Sequence, residues 1–296
     1  MDTFLQLTSS GIAVGILYAV IALGFVIIYK ATRVFNFAQG SFVLLGGFVF
    51  YSMGAQLGLP VYLAFPATFV AMMAVGWLTE RLTMRPLIGQ PILAPVMVTL
   101  AIIALIQGIV LLLWGSDMFP FAKGSLPTGI WRMGQVAIEQ VDVLTLAVGL
   151  LFIAILSAFF KYTRPGLAMR VTAEDHTVAQ NLGIPVKQVF SRSWMIAGLV
   201  GAIGGVFLGG ILGGMVYNLD TIALKAVAVV LVGGLESITG VIVAGLIIGL
   251  AEAFAGGYLS TYLGGGIQDV APFVILMVIL LIKPYGLFGL VRIERL

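Results

Sequence analysis

Five ionisable residues stand in or beside long apolar runs: Asp220, Lys225, Glu236, Glu252 and Asp269. A charge at the centre of a membrane helix costs about 2.5–3.5 kcal/mol on insertion scales. Such residues are therefore candidates for charge pairing, ion binding or proton movement. Lys225 and Glu252 are the two carried forward as candidates for lining a permeation path. An interfacial or packing role stays open beside this, because Asp220 and Lys225 bracket the start of a short segment and Glu252 falls near the end of its span. No carboxylate lies convincingly at mid-membrane, where a proton- or sodium-coupled carrier would want one. Catalytic chemistry is missing. One histidine, His176, and zero cysteines exclude a His-clustered zinc site and Cys-ligated metals. With no Gly-Lys dipeptide there is no Walker-type phosphate loop. The expectation is a chain that is not an enzyme and holds neither metal nor cofactor.

A second group of polar residues lies together, in residues 161–192. Lys161, Arg164, Arg170, Lys187 and Arg192 face Glu174, Asp175 and His176 across this one long hydrophilic interruption. Within it the spacing predicts a short helix over 175–182, with Asp175 or Thr172 as N-cap. Gly183 follows as the C′ residue, and Pro185 bars continuation. Val178, Ala179 and Leu182 recur at helical spacing, which puts a small apolar face on a charged loop. Such a face fits a docking helix for a soluble partner; a surface loop with one incidental helical turn fits the same residues.

The elements around these residues are apolar. Of 296 residues 61% are hydrophobic and 9% charged, with mean hydropathy +1.16, far below the roughly 25% charge of a soluble domain. The chain is expected to be an all-α, polytopic membrane bundle, one domain over 1–296. The start of the chain carries no basic n-region, so its first apolar run is expected to be a retained helix. Charge-free runs place spans in Thr3–Tyr29, twice in Val34–Thr79, then in Leu87–Ser116, Val143–Phe160 and Ser193–Asn218. Shorter apolar pieces follow, so 220–252 reads as two short crossings or a re-entrant hairpin. The total is eight or nine segments, some short, broken or re-entrant. Loop 116–142 is the longest on the other side from 161–192, and no periodicity in it is long enough to mark a domain.

Basic residues set the orientation. If 161–192 is cytoplasmic, alternation places Lys30, Arg33, Arg81, Arg85, Lys283, Arg292 and Arg295 there too, leaving Lys123, Arg132 and Lys225 elsewhere. The N-terminus is then outside and the C-terminus inside.

The chain holds 38 glycines. Gly201, Gly205, Gly209 and Gly213 recur every four residues, as do Gly245 and Gly249 with Ala253 and Gly257. Small residues at this spacing let helices approach to backbone contact, either as fixed packing or as a sliding interface. Two Gly-interrupted stretches, Asn36–Ser41 and Val232–Gly240, read as helix breaks in corresponding halves of an inverted repeat; ordinary helix ends would give similar sequence. Asn36, Gln39 and Ser41 are further candidates for lining the path.

Several segments in order carry a resemblance. They are Ala22-Leu23-Gly24 with Val34–Gly40, Arg164–Arg170 leading to Ala173-Glu174-Asp175, Leu182-Gly183-Ile184, Lys225-Ala226 through Gly234, Gly249–Ala253 and Pro284–Gly289. Together the chain resembles, over essentially its whole length, the LivH-type permease subunits of branched-chain amino-acid ABC importers. The resemblance implies a bacterial inner-membrane protein that pairs with a second homologous permease, two cytoplasmic ABC ATPases that carry ATP and Mg, and a periplasmic substrate-binding protein. It implies no nucleic acid. The stretch holding Gly166, Arg170, Ala173, Glu174, Asp175, Val178, Ala179, Leu182 and Gly183 resembles the coupling element that sits in a groove of the ATPase. Gln39 and Ser41 stand where the family pattern carries His and Glu, so the expected cargo widens from branched-chain amino acids to small apolar carboxylates and amides. A carrier or facilitator working alone is the alternative.

Overall fold

A computed structural model describes residues 2–91, 93–133, 136–174 and 176–289. The expectations for Asp175, Arg292 and Arg295 lie outside these residues. The first helix, α1 (Asp2–Thr32), is apolar on every side and is buried on every side from Ile16 to Ile28. That is the behaviour of an all-round hydrophobic helix in the middle of a bundle. Against it pack α5 (Gln140–Tyr162), α8 (Val186–Ile211) and α11 (Ile238–Phe254), while α3 (Val61–Thr79, prolonged by a π turn) packs on α8 and α4 (Leu93–Leu113) stands further out.

Among the described residues six helical stretches are long and apolar enough to cross a membrane: Thr3–Thr32, Val61–Leu87, Leu93–Leu113, Gln140–Tyr162, Val186–Ile211 and Ile238–Leu263. The remaining apolar pieces are shorter: α2 (Gln39–Tyr51, then a π turn to Gln56), α9 (Leu219–Ala223), α10 (Lys225–Gly233), α12 (Ser260–Leu263) and α13 (Ile267–Ile282). Six full-length spans do not by themselves establish eight or nine.

Two sets of helices pack in matching ways. Helix α1 runs antiparallel to α11, Gly11 meeting Gly249 and Ala253 while Gly15 meets Gly245. Helix α8 runs antiparallel to α3 in the same manner, through Gly76 against Trp194 and Gly198 against Met72. Each set also contains a short helix that begins inside the bundle: α2 lies parallel to α8, and α10 packs on α1 with its C-terminal turn at the Arg33 end. The runs α1-α2-α3 and α8-α10-α11 are each long–short–long, and each pairs its first helix with the third, and with the short, helix of the other.

The second break differs from the sequence expectation. Val232–Gly240 is a corner at the end of the bundle, where Gly234 has φ +101 and Ser237 Oγ caps α11 by accepting from Gly240 N at 2.9 Å. The true interruption is residues 212–218. Gly213, expected as a packing residue, has φ +78 and open space around it. It ends α8: its N–H reaches Gly210 O, and Gly214 N–H reaches Gly209 O, the paired bonds of a Schellman cap.

Loop 116–142 contains a two-stranded antiparallel hairpin, β1 (Ile130–Met133) with β2 (Val136–Glu139). Its strands are four residues each, too short for alternation to register in a sequence. The loop is also pinned to the body, since Phe119 pairs with Met215 through the backbone and Phe121 packs edge-on to Phe50.

Candidate functional site

Helix α2 starts deep in the protein because Asn36 makes a turn there. Its Oδ1 accepts from Ala38 N at 3.1 Å and its carbonyl accepts from Gln39 N, which pairs N–H groups that a helix start leaves open. Gln39 then donates from Nε2 to Ala197 O on α8 at 3.2 Å. Gly24 leaves the space that the Gln39 side chain fills; a Cβ at 24 would collide with the amide. Asn36, Gln39 and Ser41 are all buried within this chain, and Ser41 Oγ has no hydrogen-bond partner among the described residues. Gly201 and Gly205 let α8 approach this helix so closely that a Cβ on Gly201 would sit 2.8 Å from the Phe42 backbone. Gly209 instead faces Met215 and Phe121.

The opposite short helix is held by charge. Lys225 Nζ reaches Glu252 Oε1 on α11 at 2.5 Å and Asp269 Oδ1 on α13 at 2.8 Å. The Lys225 side chain is 8% exposed and that of Glu252 16%, so this pair is removed from solvent, whereas Asp269 is 63% exposed. Of the interfacial and packing roles open to Asp220 it takes the second: it is buried in the bundle with its carbonyl beside Gly40 and its carboxylate accepting from Gln107 Nε2 at 2.6 Å. The two short helices therefore begin next to each other: α2 on neutral amides, α9–α10 on charged groups.

The hydrophilic stretch is more helical than its sequence indicates. It folds as α6 (Arg164–Glu174), α7 (His176–Asn181) and the first turns of α8, which begins at Val186 and so takes in Lys187 and Arg192. Thr172 is not a cap: it lies inside α6 and bonds back to Ala168 O at 2.8 Å. Gly183 has φ +75 and closes α7, with Ile184 N–H to Ala179 O and Gly183 N–H to Gln180 O. The apolar face of α7 divides. Ala179 is fully buried and faces inward, while Val178 and Leu182 are 50% and 68% exposed. Gly166 and Ala173 are buried too, Gly166 against the backbone of Phe159 and Phe160. Arg170, Glu174 and Gly183 are exposed. Leu167, which no sequence pattern singles out, is 53% exposed on α6 and shares the polar end with Leu182.

One contact set could not be anticipated from sequence. Arg33, at the end of α1, is ion-paired with Glu236 in the α10–α11 corner and donates to Ala173 O on α6. These partners are 203 and 140 residues away.

Comparison with known proteins agrees with this architecture. The family described as the branched-chain amino acid transport system / permease component matches residues 7–283. The chain is 32% identical to the high-affinity branched-chain amino acid transport system permease protein LivH of Escherichia coli, covering 99% of this chain and 97% of that protein. It is 29% identical to BraD of Pseudomonas aeruginosa, over 99% and 98% of the two chains. It is 30% identical to a probable LivH of Methanocaldococcus jannaschii, over 92% and 89%. Among solved structures, PsaBC from Streptococcus pneumoniae in complex with Fab has a similar fold, with TM-score 0.51 and 14% identity over 97% of this chain and 94% of that one.

Proposed function

This chain belongs to the branched-chain amino acid transport permease family, and on that premise we propose that it is the membrane-spanning subunit of an ATP-driven importer. It is a multi-pass inner-membrane protein. Its cargo is a branched-chain amino acid or a related small apolar carboxylate or amide. Partners are a second homologous permease, two cytoplasmic ABC ATPases that bind ATP and Mg, and a periplasmic binding protein. The N-terminus lies outside and the α6–α7 end in the cytoplasm. Counting the short pieces α2, α9–α10 and α13 with the six long helices gives nine segments, the upper of the eight or nine expected.

The observation that carries this reading is the polar end: a helical body with buried broken helices, and on it one two-helix excursion that leaves Leu182 and Val178 exposed. Exposed apolar side chains on a charged helix mark a contact surface. Leu182→Asp tests it. In the assembled complex the variant inserts and accumulates normally, because Leu182 packs on little within the chain, yet ATP-dependent uptake is lost. Normal uptake by that variant removes the docking assignment. A stand-alone carrier would need a buried carboxylate free to titrate or bind a cation; Glu252 is already paired with Lys225. Purified chain in liposomes, without ATPase, discriminates: flux under an ion gradient favours the carrier.

A further inference from the structure

The polar end of α1 finishes in an unusual way. Arg33 has φ +59, the only non-glycine residue with positive φ among those described. A side chain in this region is disfavoured for an L-residue, and persists where its surroundings over-determine it. Here the surroundings are two structural units. One arm of the guanidinium pairs with Glu236, in the corner that joins the short helix α10 to α11; the other donates to the Ala173 carbonyl, in the last turn of α6. The Arg33 and Glu236 side chains are 22% and 18% exposed, so the pair is sheltered but not sealed. Beside it is a cavity of about 130 Å³ lined by Lys30, Arg33, Arg170, Ala173, Glu174 and Glu236. Three cations and two carboxylates around a space of that size can be repaired in more than one arrangement.

We propose that Arg33 is the positioning residue that transmits movement of α6 to the α10–α11 corner. The inference rests on the importer reading, and names the internal link which that reading leaves blank. Helix α10 is tied at both ends: through the corner to Arg33, and through Lys225 to Glu252 and Asp269. A displacement of α6 pulls Ala173, hence Arg33, hence Glu236, and so tilts a nine-residue helix whose far end carries the buried Lys225. Arginine suits the task because its planar fork can hold two acceptors at once, which a lysine ammonium does with less directional control.

The test uses the whole complex in proteoliposomes and reads substrate taken up per ATP hydrolysed. Arg33→Gly removes the guanidinium while relieving the positive φ. It is expected to keep assembly and ATP hydrolysis while uptake per ATP falls by about 5- to 150-fold, the range of typical coupling energies. Glu236→Gln, which cuts one arm, is expected to fall in the same direction by less. Exchange of the pair, Arg33→Glu with Glu236→Arg, restores part of the ratio. Arg33→Lys decides the matter if Arg33→Gly fails to assemble: an assembled Arg33→Lys complex with reduced uptake per ATP supports transmission. An unchanged ratio in the assembled variants overturns the inference alone. A wild-type complex with no ATP-driven uptake overturns the importer reading and this inference together.

Discussion

The two short helices that begin inside the bundle share close glycine packing, but only one of them is also tied by charge. Helix α2 is fixed by an Asn36 turn, one Gln39 amide bond and backbone-close contact through Gly46, Gly201 and Gly205, with no charged side chain among these contacts. Helix α10 has ion pairs at its two ends, and its last turn also lies backbone-close to Gly240 and accepts from Leu287 and Phe288 N–H. Close packing of glycine on backbone has one good geometry and tolerates little displacement. Ion pairs beside a cavity can exchange partners over longer distances. The two short helices therefore differ in what can give: the contacts of α2 are packing and neutral bonds, whereas those of α10 include ion pairs that can rearrange, and the proposed path from α6 enters on that adjustable side.

Breaking the packing of α2 should cost most. Gly205→Val would drive a branched side chain into the Val43 carbonyl and Gly47; the expected outcome is loss of inserted, folded protein, read as the monodisperse fraction in detergent. Overpacking commonly costs 1–3 kcal/mol (about) where neighbours can move, and backbone cannot.

On the adjustable side, Lys225→Met leaves Glu252 buried without its cation. The expected destabilisation is about 3–5 kcal/mol, measured by thermal unfolding in detergent. Lys225→Met combined with Glu252→Gln should recover much of it, because no uncompensated charge remains. Asp269→Asn, at the exposed arm, should cost no more than about 1 kcal/mol. Equal effects of Glu252 and Asp269 variants would contradict the ranking by burial. Ser237→Ala removes the cap that starts α11 and is expected to cost about 1 kcal/mol. Gln39→Met sharpens the comparison at its weakest point: the lost neutral hydrogen bond to Ala197 O is worth about 0.5–1.5 kcal/mol, so the packing of α2 should survive it.

Much of this division is visible in the residues themselves. Asn36 and Gln39 are polar side chains inside a long apolar run, and only a helix break gives them partners. The hydrophilic 161–192 stretch marks itself by charge. Other features were hidden for definite reasons. Gly213 shares the four-residue spacing of Gly201 and Gly205 yet serves as a helix end, since spacing does not report backbone conformation. Val232–Gly240 looked like a buried break because a corner and a break use the same glycines. Helix α6 is masked by its charged residues, although Met169, Thr172 and Ala173 fall at helical spacing and are buried. The Arg33–Glu236 pair joins distant positions, and nothing local announces it.

An ATPase can reach α6 and α7 only if both lie on the cytoplasmic side of the membrane. The chain has no cysteine, so Leu182→Cys places a single thiol on the exposed face of that excursion. Labelling with a membrane-impermeant maleimide should occur in inside-out vesicles and be absent in right-side-out ones, and added ATPase subunits should slow it. Labelling from the outer side would contradict the proposed path of force from the ATPase through α6 to Arg33 and α10.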